Sequence, residues 1–449
     1  MIQCLFLKKN HLKNIYPLIL KINCFLLVLL VVKFFNIIVE GKKMKKLLTL
    51  IILLTSTIAS AGTLVINSNQ SGESSKAAFD AYVDAFSAAH PEVTVVVNEF
   101  EHEAYKTAIR NFLTAEAPDV AIWFAGNRMK FFVDQNLFQD VSDVWADAGL
   151  NDSMASTKGA LTVDGKQYGV PWGYYQWGVY YRKDLFDNLG LNVPKNWEEF
   201  KWVCAMLKKN GITPITIGTK YLWTAGGWFD YLNLRINGYQ FHMDLTAGKV
   251  SYEDPRLDAT FDAWRELIDP GYFLEDHASF SWQDAQAPQI NGEAAMYLIG
   301  NFYVPTLESA GVVDKMDFFQ FPTIVEGVGV GEDAPTDTMH IPSGAKNVED
   351  AKKFLAFMSN AEAATNWAKM AGMLSPNKYA DKPENRFSIM GAKMLAAADD
   401  IAQFWDRDAN PDMAGASMEG FQEFMVKPDR EDKIRARLEK ERARIHGAL

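Results

Sequence analysis

Strand patterns alternate with helix patterns after residue 62, and this alternation limits the possible folds more than any other feature of the chain. The predicted strands cover residues 63–68, 93–98 and 120–124. The predicted helices cover residues 79–90, 105–115 and 128–135. Such alternation indicates βαβ units and a largely parallel sheet. In these sheets the loops beyond the carboxyl ends of the strands line the ligand crevice, so we expect a site near Asn69, Glu99 and Ala125.

An aromatic stretch broken by glycines follows at residues 164–186. Glycine weakens a strand and lets another group come close, so we interpret this stretch as a bendable crossing between two halves of the chain. A period of two divides its residues between two faces. The face predicted to line a wet cleft carries Trp172, Tyr174, Gln176 and Tyr180. The more apolar face, predicted to be core, carries Tyr175, Trp177, Val179 and Tyr181.

The beginning of the chain has the pattern of an export signal. A basic start at Met44 is followed by an apolar run and by Ala59-Ser60-Ala61. This order is typical of a secretory signal peptide, which predicts cleavage after Ala61 and a periplasmic protein. We expect translation to start at Met44, so that residues 1–43 are an over-extended start or leader; a membrane-tethered form is the alternative.

The charge of the rest of the chain argues against nucleic-acid binding. The first 61 residues carry nine lysines and one acidic residue, Glu40, whereas the whole chain carries −11. The remaining residues therefore carry −19. Nucleic-acid binding requires a basic footprint, and none is present.

Motifs for cofactor binding and catalysis are missing from the sequence. It has no P-loop, no G-x-G-x-x-G after a strand, no G-x-S-x-G and no C-x-x-C. The histidines are scattered and form no paired metal-ligand spacing. We therefore predict no cofactor, no metal site and no catalytic residues. Carboxylates are abundant, so a glycosidase pair stays open as an alternative.

Seven short segments in order resemble family 1 extracellular solute-binding proteins, the carbohydrate-binding components of ATP-binding cassette (ABC) importers. They cover most of residues 63–378 and read HPEV, TAEAPDV, DGKQYGVP with YYRKDLFDNLGL, VPKNWEEF, GKVSYEDPRL, NGEAAMYLIGNFYV, and DFFQFP followed by MHIPSGAKNVEDAKKFLAFM. The resemblance implies a type II-like α/β fold with two lobes joined by hinge crossings. It also implies that a sugar is held between the lobes and that a membrane permease is the partner. We expect the protein to be a monomer and not an enzyme.

The lobe limits implied by the resemblance are residues 62–170 with 324–358 for the first lobe, and 171–323 with 359–449 for the second. Two departures from the family pattern leave the sugar open. Asn69 and Gln70 stand where relatives often have an aromatic or acidic residue. Asn301 and Phe302 stand where many relatives have aspartate and tryptophan.

A sugar site needs flat rings for the apolar faces of the sugar and polar groups for its hydroxyls. The candidates combine both kinds of group near predicted strand ends and glycines. They are Asn69, Glu73, Trp123, Asn127, Trp172, Tyr174, Trp223, Trp228, Asp230, Asn301, Tyr303 and His340. Ordinary core packing is the competing interpretation for the rings, and helix capping is the competing interpretation for Glu73. We expect the ring of Trp228 to lie over an open cleft, because it follows two glycines.

The sequence leaves two other functions open. One is a secreted carbohydrate-active enzyme, such as a glycosidase. The other is a binding protein for a solute that is not a sugar, such as a polyamine or a phosphate ester.

Overall fold

Two β-sheets organise residues 62–449, which are the residues that the computed structural model describes. These residues form one compact unit. The predicted leader and signal peptide, residues 1–43 and 44–61, lie outside the described residues. Within residues 62–449, no helix combines the length and the apolar character needed to cross a bilayer.

The first sheet has five strands in the order β2-β1-β3-β12-β6. These strands are β1 Thr63–Ser68, β2 Thr94–Glu99, β3 Val120–Phe124, β6 Val170–Tyr174 and β12 Thr336–His340. β1 runs parallel to β2 and β3, and β12 runs antiparallel to β3 and β6. All five residues of β3 are buried, because helices or neighbouring segments cover both faces of the sheet.

The second sheet has four strands in the order β10-β7-β9-β8. They are β7 Trp177–Arg182, β8 Thr213–Ile215, β9 Ala294–Gly300 and β10 Met316–Phe319. β7 is antiparallel to both of its neighbours, and β8 is parallel to β9. Two small ribbons complete the strands: β4 Thr162–Val163 with β5 Lys166–Gln167, and β11 Gly331–Asp333 with β13 Asp400–Ala402.

Helices cover the two sheets and the ends of the chain. Those up to residue 246 are α1 Glu73–Ala89, α2 His102–Ala115, α3 Asn127–Val133, α4 Ser142–Asp147, α5 Leu150–Ser153, α6 Lys183–Leu189, α7 Trp197–Lys209, α8 Trp223–Ile236 and α9 Gly238–Thr246. The later ones are α10 Arg256–Ile268, α11 Gln286–Asn291, α12 Val304–Ser309, α13 Val348–Met358, α14 Ala361–Ala371, α15 Arg386–Ala397, α16 Trp405–Asp408, α17 Pro411–Val426 and α18 Glu431–His446. Five single turns of 3-10 helix also occur in this part of the chain, at Gly159–Leu161, His277–Ser279, Asn301–Tyr303, Val313–Lys315 and Pro428–Arg430.

The chain passes from the first sheet to the second at Tyr175-Gln176, between β6 and β7. It returns to the first sheet between β10 and β12. A third passage, from the first sheet to the second, lies in the last ninety residues. In that last part, α14 packs against the first sheet, where Trp367 stacks on Trp172 of β6. α17 packs near the second sheet, where Phe421 stacks on Phe229 of α8 at 4.0 Å. The lobe limits predicted from the sequence place residues 359–449 with the second lobe, and they stay a prediction.

Candidate ligand-binding site

A cavity of about 330 Å³ lies where the ends of the two sheets meet, and we call it the inner cavity. The first sheet supplies the loop after β1, the beginning of α2, the end of β3 and Asp337 of β12. The second sheet supplies the beginning of β7 and the turn after β9. The site therefore lies at the carboxyl ends of the parallel strands, as the alternation of strands and helices predicts.

Eight aromatic rings line the inner cavity. They are Phe124, Tyr175, Trp177, Trp223, Trp282, Phe302, Trp367 and Phe404. Trp177 stacks on Phe404 with their centroids 4.9 Å apart and stands perpendicular to Trp223 at 5.9 Å. Phe302 meets Trp282 edge-on at 5.3 Å. These stacked and edge-on contacts hold the rings in place, so the cavity presents a preformed aromatic surface.

Two glycines allow these rings to approach the backbone. A Cβ atom at Gly227 of α8 would lie 3.0 Å from Cζ3 of Trp177 and 3.2 Å from Cε2 of Phe404. A Cβ atom at Gly300 would lie 2.9 Å from Cδ2 of Tyr175 and would also collide with the ring of Phe302. Side chains at either position would push the rings from their places, so these glycines shape the cavity.

The charged side chains around the inner cavity form three ion pairs among the described residues. Lys106 Nζ lies 3.2 Å from a Glu103 oxygen, and Arg128 Nη2 lies 3.3 Å from Asp406 Oδ2. The third pair joins Arg407 to Asp337. Each cation thus has its own carboxylate, and the charges around the cavity are balanced.

Arg407 connects the C-terminal segment to β12 of the first sheet and to Tyr175, in the crossing between the two sheets. Its guanidinium group donates to the Thr336 carbonyl at 2.7 Å, to the Tyr175 hydroxyl at 2.9 Å and to Asp337 Oδ1 at 3.0 Å. Burial raises the pKa of Asp337 above its usual value, and the positive charge of Arg407 opposes that rise. The guanidinium therefore keeps Asp337 closer to its ionised form.

His102 lies at the wall of the inner cavity, at the beginning of α2. Glu101 fixes this beginning, because its carboxylate accepts hydrogen bonds from the backbone N–H groups of Glu103 and Ala104. Burial and the nearby cations, Lys106 foremost, hold the pKa of His102 well below its usual value. Its ring is therefore neutral at pH 7 and can both donate and accept a hydrogen bond.

A family model for bacterial extracellular solute-binding proteins matches residues 70–365. The chain belongs to this family. The two-lobe α/β fold predicted from the sequence is confirmed by similar solved structures. The solute receptor AcbH, reported to have an exclusive substrate preference for β-D-galactopyranose, is 33% identical. Its TM-score is 0.82, and the match covers 86% of this chain and 99% of that one.

More distant relatives extend the comparison. An uncharacterised ABC transporter extracellular-binding protein of Pyrococcus horikoshii is 26% identical over 312 residues, which are 68% of this chain and 69% of that protein. The multiple sugar-binding protein of Streptococcus mutans is 25% identical over 215 residues, 47% of this chain and 51% of that protein. RafE, whose structure is known in complex with raffinose, is 18% identical in sequence. The match covers 86% of this chain and 100% of that one, and its TM-score of 0.71 shows a shared fold.

Asn69 and Trp223 are the predicted site residues that line the inner cavity of this solute-binding protein. The amide oxygen of Asn69 accepts from the Gln70 side chain at 2.8 Å, so the two form one polar edge. Trp223 begins α8 and faces Trp177 and Trp282. Glu73 begins α1, but its side chain lies outside the described residues.

Trp172 and His340 pack within the first sheet and do not line the inner cavity. Trp172 is 1% exposed and lies between Phe79 and Trp367. The prediction that Trp172 lines a wet cleft is therefore wrong. His340 stacks on Phe138 at 4.3 Å, and burial lowers its pKa to about 4. This histidine is a neutral core residue.

Trp123, Asn127 and Tyr174 also lie outside the inner cavity. The Trp123 indole donates to the Arg128 carbonyl at 3.2 Å, which fixes the turn after β3. The Asn127 side chain donates to the Asp408 carbonyl and ties α3 to α16. Tyr174 is half-buried at the end of β6. A role for these three residues in binding stays a prediction.

The prediction that Trp228 lies over an open cleft is wrong. Its ring is 1% exposed and meets Phe273 and Phe321 edge-on at 5.0 and 5.6 Å. Asp230, two residues further along α8, is fully buried and accepts from the Trp405 backbone N–H at 2.8 Å. Both side chains are part of the packing between α8 and its neighbours.

Asn301 and Tyr303 are fully buried behind the turn after β9. The backbone N–H of Asn301 donates to the Gln176 carbonyl at 3.1 Å, and Tyr303 meets Tyr180 and Tyr297 edge-on. Neither lines the inner cavity, and their role in binding stays a prediction. Phe302, the residue between them, lies in the cavity wall instead.

Most residues that line the inner cavity were not predicted from the sequence. Tyr175 and Trp177 line the inner cavity, although the period of two assigned them to the core. His102 and Lys106 could have been found, because the predicted crevice loop at Glu99 leads into the helix that carries them. No pattern in the sequence indicates that Arg407 lies near the site, because it belongs to a four-residue helix far along the chain.

Proposed function

We propose that this protein captures a neutral mono- or oligosaccharide in the inner cavity by closure of its two lobes and delivers it to the permease of an ABC importer. The observation that carries this proposal is the wall of eight rings with balanced charges between them. Hinge closure around a ligand is a common device of periplasmic binding proteins. We take the protein to act as a binder, because its family consists of binding proteins.

The lining suits the two kinds of surface that a sugar presents. The half-buried rings of Trp282 and Phe302 can cover the apolar faces of the sugar, and Trp223 packs against both of them. Uncharged polar side chains stand beside them and can exchange hydrogen bonds with hydroxyl groups; they are Asn69, Gln70, His102, Gln283, Gln286 and Thr306. A site that hydrogen-bonds buried hydroxyls rejects ligands that leave those partners unpaired.

The ion pairs favour an uncharged sugar. A sugar acid or a sugar phosphate would need a free cation, but Lys106, Arg128 and Arg407 each have a carboxylate partner. A polyamine would need a free carboxylate in the same place. The names of relatives support sugar binding in general, with galactopyranose and raffinose among the ligands of similar proteins.

A thermal-shift screen tests the proposal. We expect at least one neutral sugar among galactose, glucose, xylose and their oligomers to raise the melting temperature, because a ligand at a hundred times its Kd adds about 2.7 kcal/mol of stability. Glucuronate, glucose 6-phosphate and putrescine should have no effect. A shift with the charged ligands alone would contradict the proposal. Recovery of cleaved sugar after overnight incubation would favour the glycosidase instead.

A pair of glycine variants then places the bound sugar. Gly227→Ala should weaken binding at least tenfold in calorimetric titration, because the new methyl group displaces Trp177 and Phe404. Gly415→Ala is the matched control, because Gly415 lies in a different helix, α17, where a Cβ atom would meet no atom of the described residues within 4 Å. Equal affinities in the two variants would place the sugar elsewhere.

We also propose export to the periplasm with removal of residues 44–61. Expressed in a Gram-negative host, the mature protein should begin at Gly62 when the periplasmic fraction is sequenced from its N-terminus. A soluble mature protein that keeps residues 44–61 would contradict this.

A further inference from the structure

A second cavity of about 570 Å³ adjoins the inner cavity, and we call it the outer cavity. Its lining is mostly polar and includes Glu101, Thr107, Arg128, Lys220 and Tyr221. Three residues line both cavities, namely Lys106, Trp223 and Asp406. The two cavities therefore share a wall.

Glu103, Lys106 and Trp223 build this wall, and we call them the partition. The Trp223 indole N–H donates to Glu103 Oε1 at 3.0 Å, and Lys106 Nζ lies 3.2 Å from the other oxygen of that carboxylate. The ammonium group of Lys106 also lies 5.6 Å from the centre of the Trp223 ring. Glu103 and Lys106 belong to α2 beside the first sheet, whereas Trp223 begins α8 beside the second. The partition thus connects the two lobes across the cleft.

The ring of Trp223 is held from several sides. Trp177 and Trp282 each meet it with centroids 5.9 Å away, and its own exposure is 9%. Glu103 is 8% exposed. Swinging the ring aside would break the indole hydrogen bond and leave a buried carboxylate with one partner fewer, which is costly. The partition therefore bounds the inner cavity as long as the two lobes stand in the arrangement described here.

We propose that the partition limits the length of the saccharide that this protein accepts. This inference rests on the proposed function. The inner cavity is at the lower end of the roughly 300–1,000 Å³ typical of ligand pockets, so it suits one or two sugar rings. A third ring would have to pass through the partition into the outer cavity.

The outer cavity could hold such a further ring. Tyr221 is 37% exposed and offers a ring face, and the exposed Lys220 beside it offers an ammonium group as hydrogen-bond donor. Both can serve a sugar that reaches past the partition. Removing the partition should therefore turn a site for short saccharides into a site for longer ones.

Calorimetric titration with three saccharide series tests this inference. The probes are galactose with β-1,4-galactobiose and galactotriose, glucose with maltose and maltotriose, and xylose with xylobiose and xylotriose. In the series that binds to the wild type, we expect the ratio of the trisaccharide Kd to the monosaccharide Kd to be at least ten. In Glu103→Ala and Trp223→Ala this ratio of Kd values should fall at least tenfold. Glu103→Gln keeps an acceptor for the indole and should stay closer to the wild type.

Trp202→Ala is the matched control, because this tryptophan is 54% exposed on α7 and lines neither cavity. It should keep the wild-type ratio. A wild type that binds the trisaccharide as tightly as the monosaccharide would overturn the inference, and so would an unchanged ratio in both partition variants. If no saccharide binds the wild type, the proposed function itself fails and this inference fails with it.

Discussion

Truncation of Trp228 to alanine is expected to lower the free energy of unfolding by roughly 3–5 kcal/mol, the usual cost of removing a large buried aromatic side chain. The ring is 1% exposed, and Phe273, Phe321 and Phe200 surround it. It does not line the inner cavity, so the saccharide affinity of the folded variant should stay within threefold of the wild type. Denaturant melts and calorimetric titrations on the same preparation measure both quantities.

Trp177→Ala is the matched comparison. This ring is equally buried at 1% exposure, but it lines the inner cavity. Both variants should lose stability, whereas only Trp177→Ala should lose at least tenfold in affinity, about 1.4 kcal/mol. A tenfold loss of affinity in Trp228→Ala, with stability unchanged, would return Trp228 to the binding site.

The sequence predicted the elements of the fold well because their periodicity is local. The strands at residues 63–68 and 120–124 have the predicted limits in the structure. The error at Trp228 comes from the glycines before it. A glycine shows that some group comes close, but the groups that approach Gly227 are Trp177 and Phe404 of the protein, not a ligand.

The aromatic crossing shows a second limit of local patterns. Residues 170–174 belong to the first sheet and residues 177–182 to the second, so the backbone changes sheets at Tyr175-Gln176. A period of two holds only within one continuous strand. Trp172 therefore packs in the core while Tyr175 and Trp177 line the inner cavity.

The C-terminal part of the lining could not have been predicted from local sequence at all. Phe404, Asp406 and Arg407 reach the site from a segment that lies beyond the matched part of the chain, which ends at residue 365. Arg407 bonds to Asp337 and Tyr175, which are 70 and 232 residues away. Only tertiary structure brings these groups together.

Replacing Arg407 with methionine is expected to cost about 3–5 kcal/mol of unfolding free energy near pH 7.5, because it leaves the buried carboxylate of Asp337 without its cation. Arg407 is 5% exposed and Asp337 is 7% exposed. The variant also loses the hydrogen bonds to Thr336 and Tyr175. Saccharide affinity should fall as well, since Tyr175 loses the bond that orients its hydroxyl group.

The pH dependence of this loss identifies its cause. Burial already raises the pKa of Asp337 and Arg407 opposes the rise, so removing Arg407 should raise this pKa further. A folded-state pKa above the unfolded value means that the folded state binds the proton more tightly, so the variant should regain stability as the pH falls through the raised pKa. Arg407→Met combined with Asp337→Asn removes both charges, and it should recover part of the loss and abolish that pH dependence. If instead the double variant is as unstable as the single one at every pH, the bonds from Arg407 to Thr336 and Tyr175 stabilise the site, and the ion pair does not.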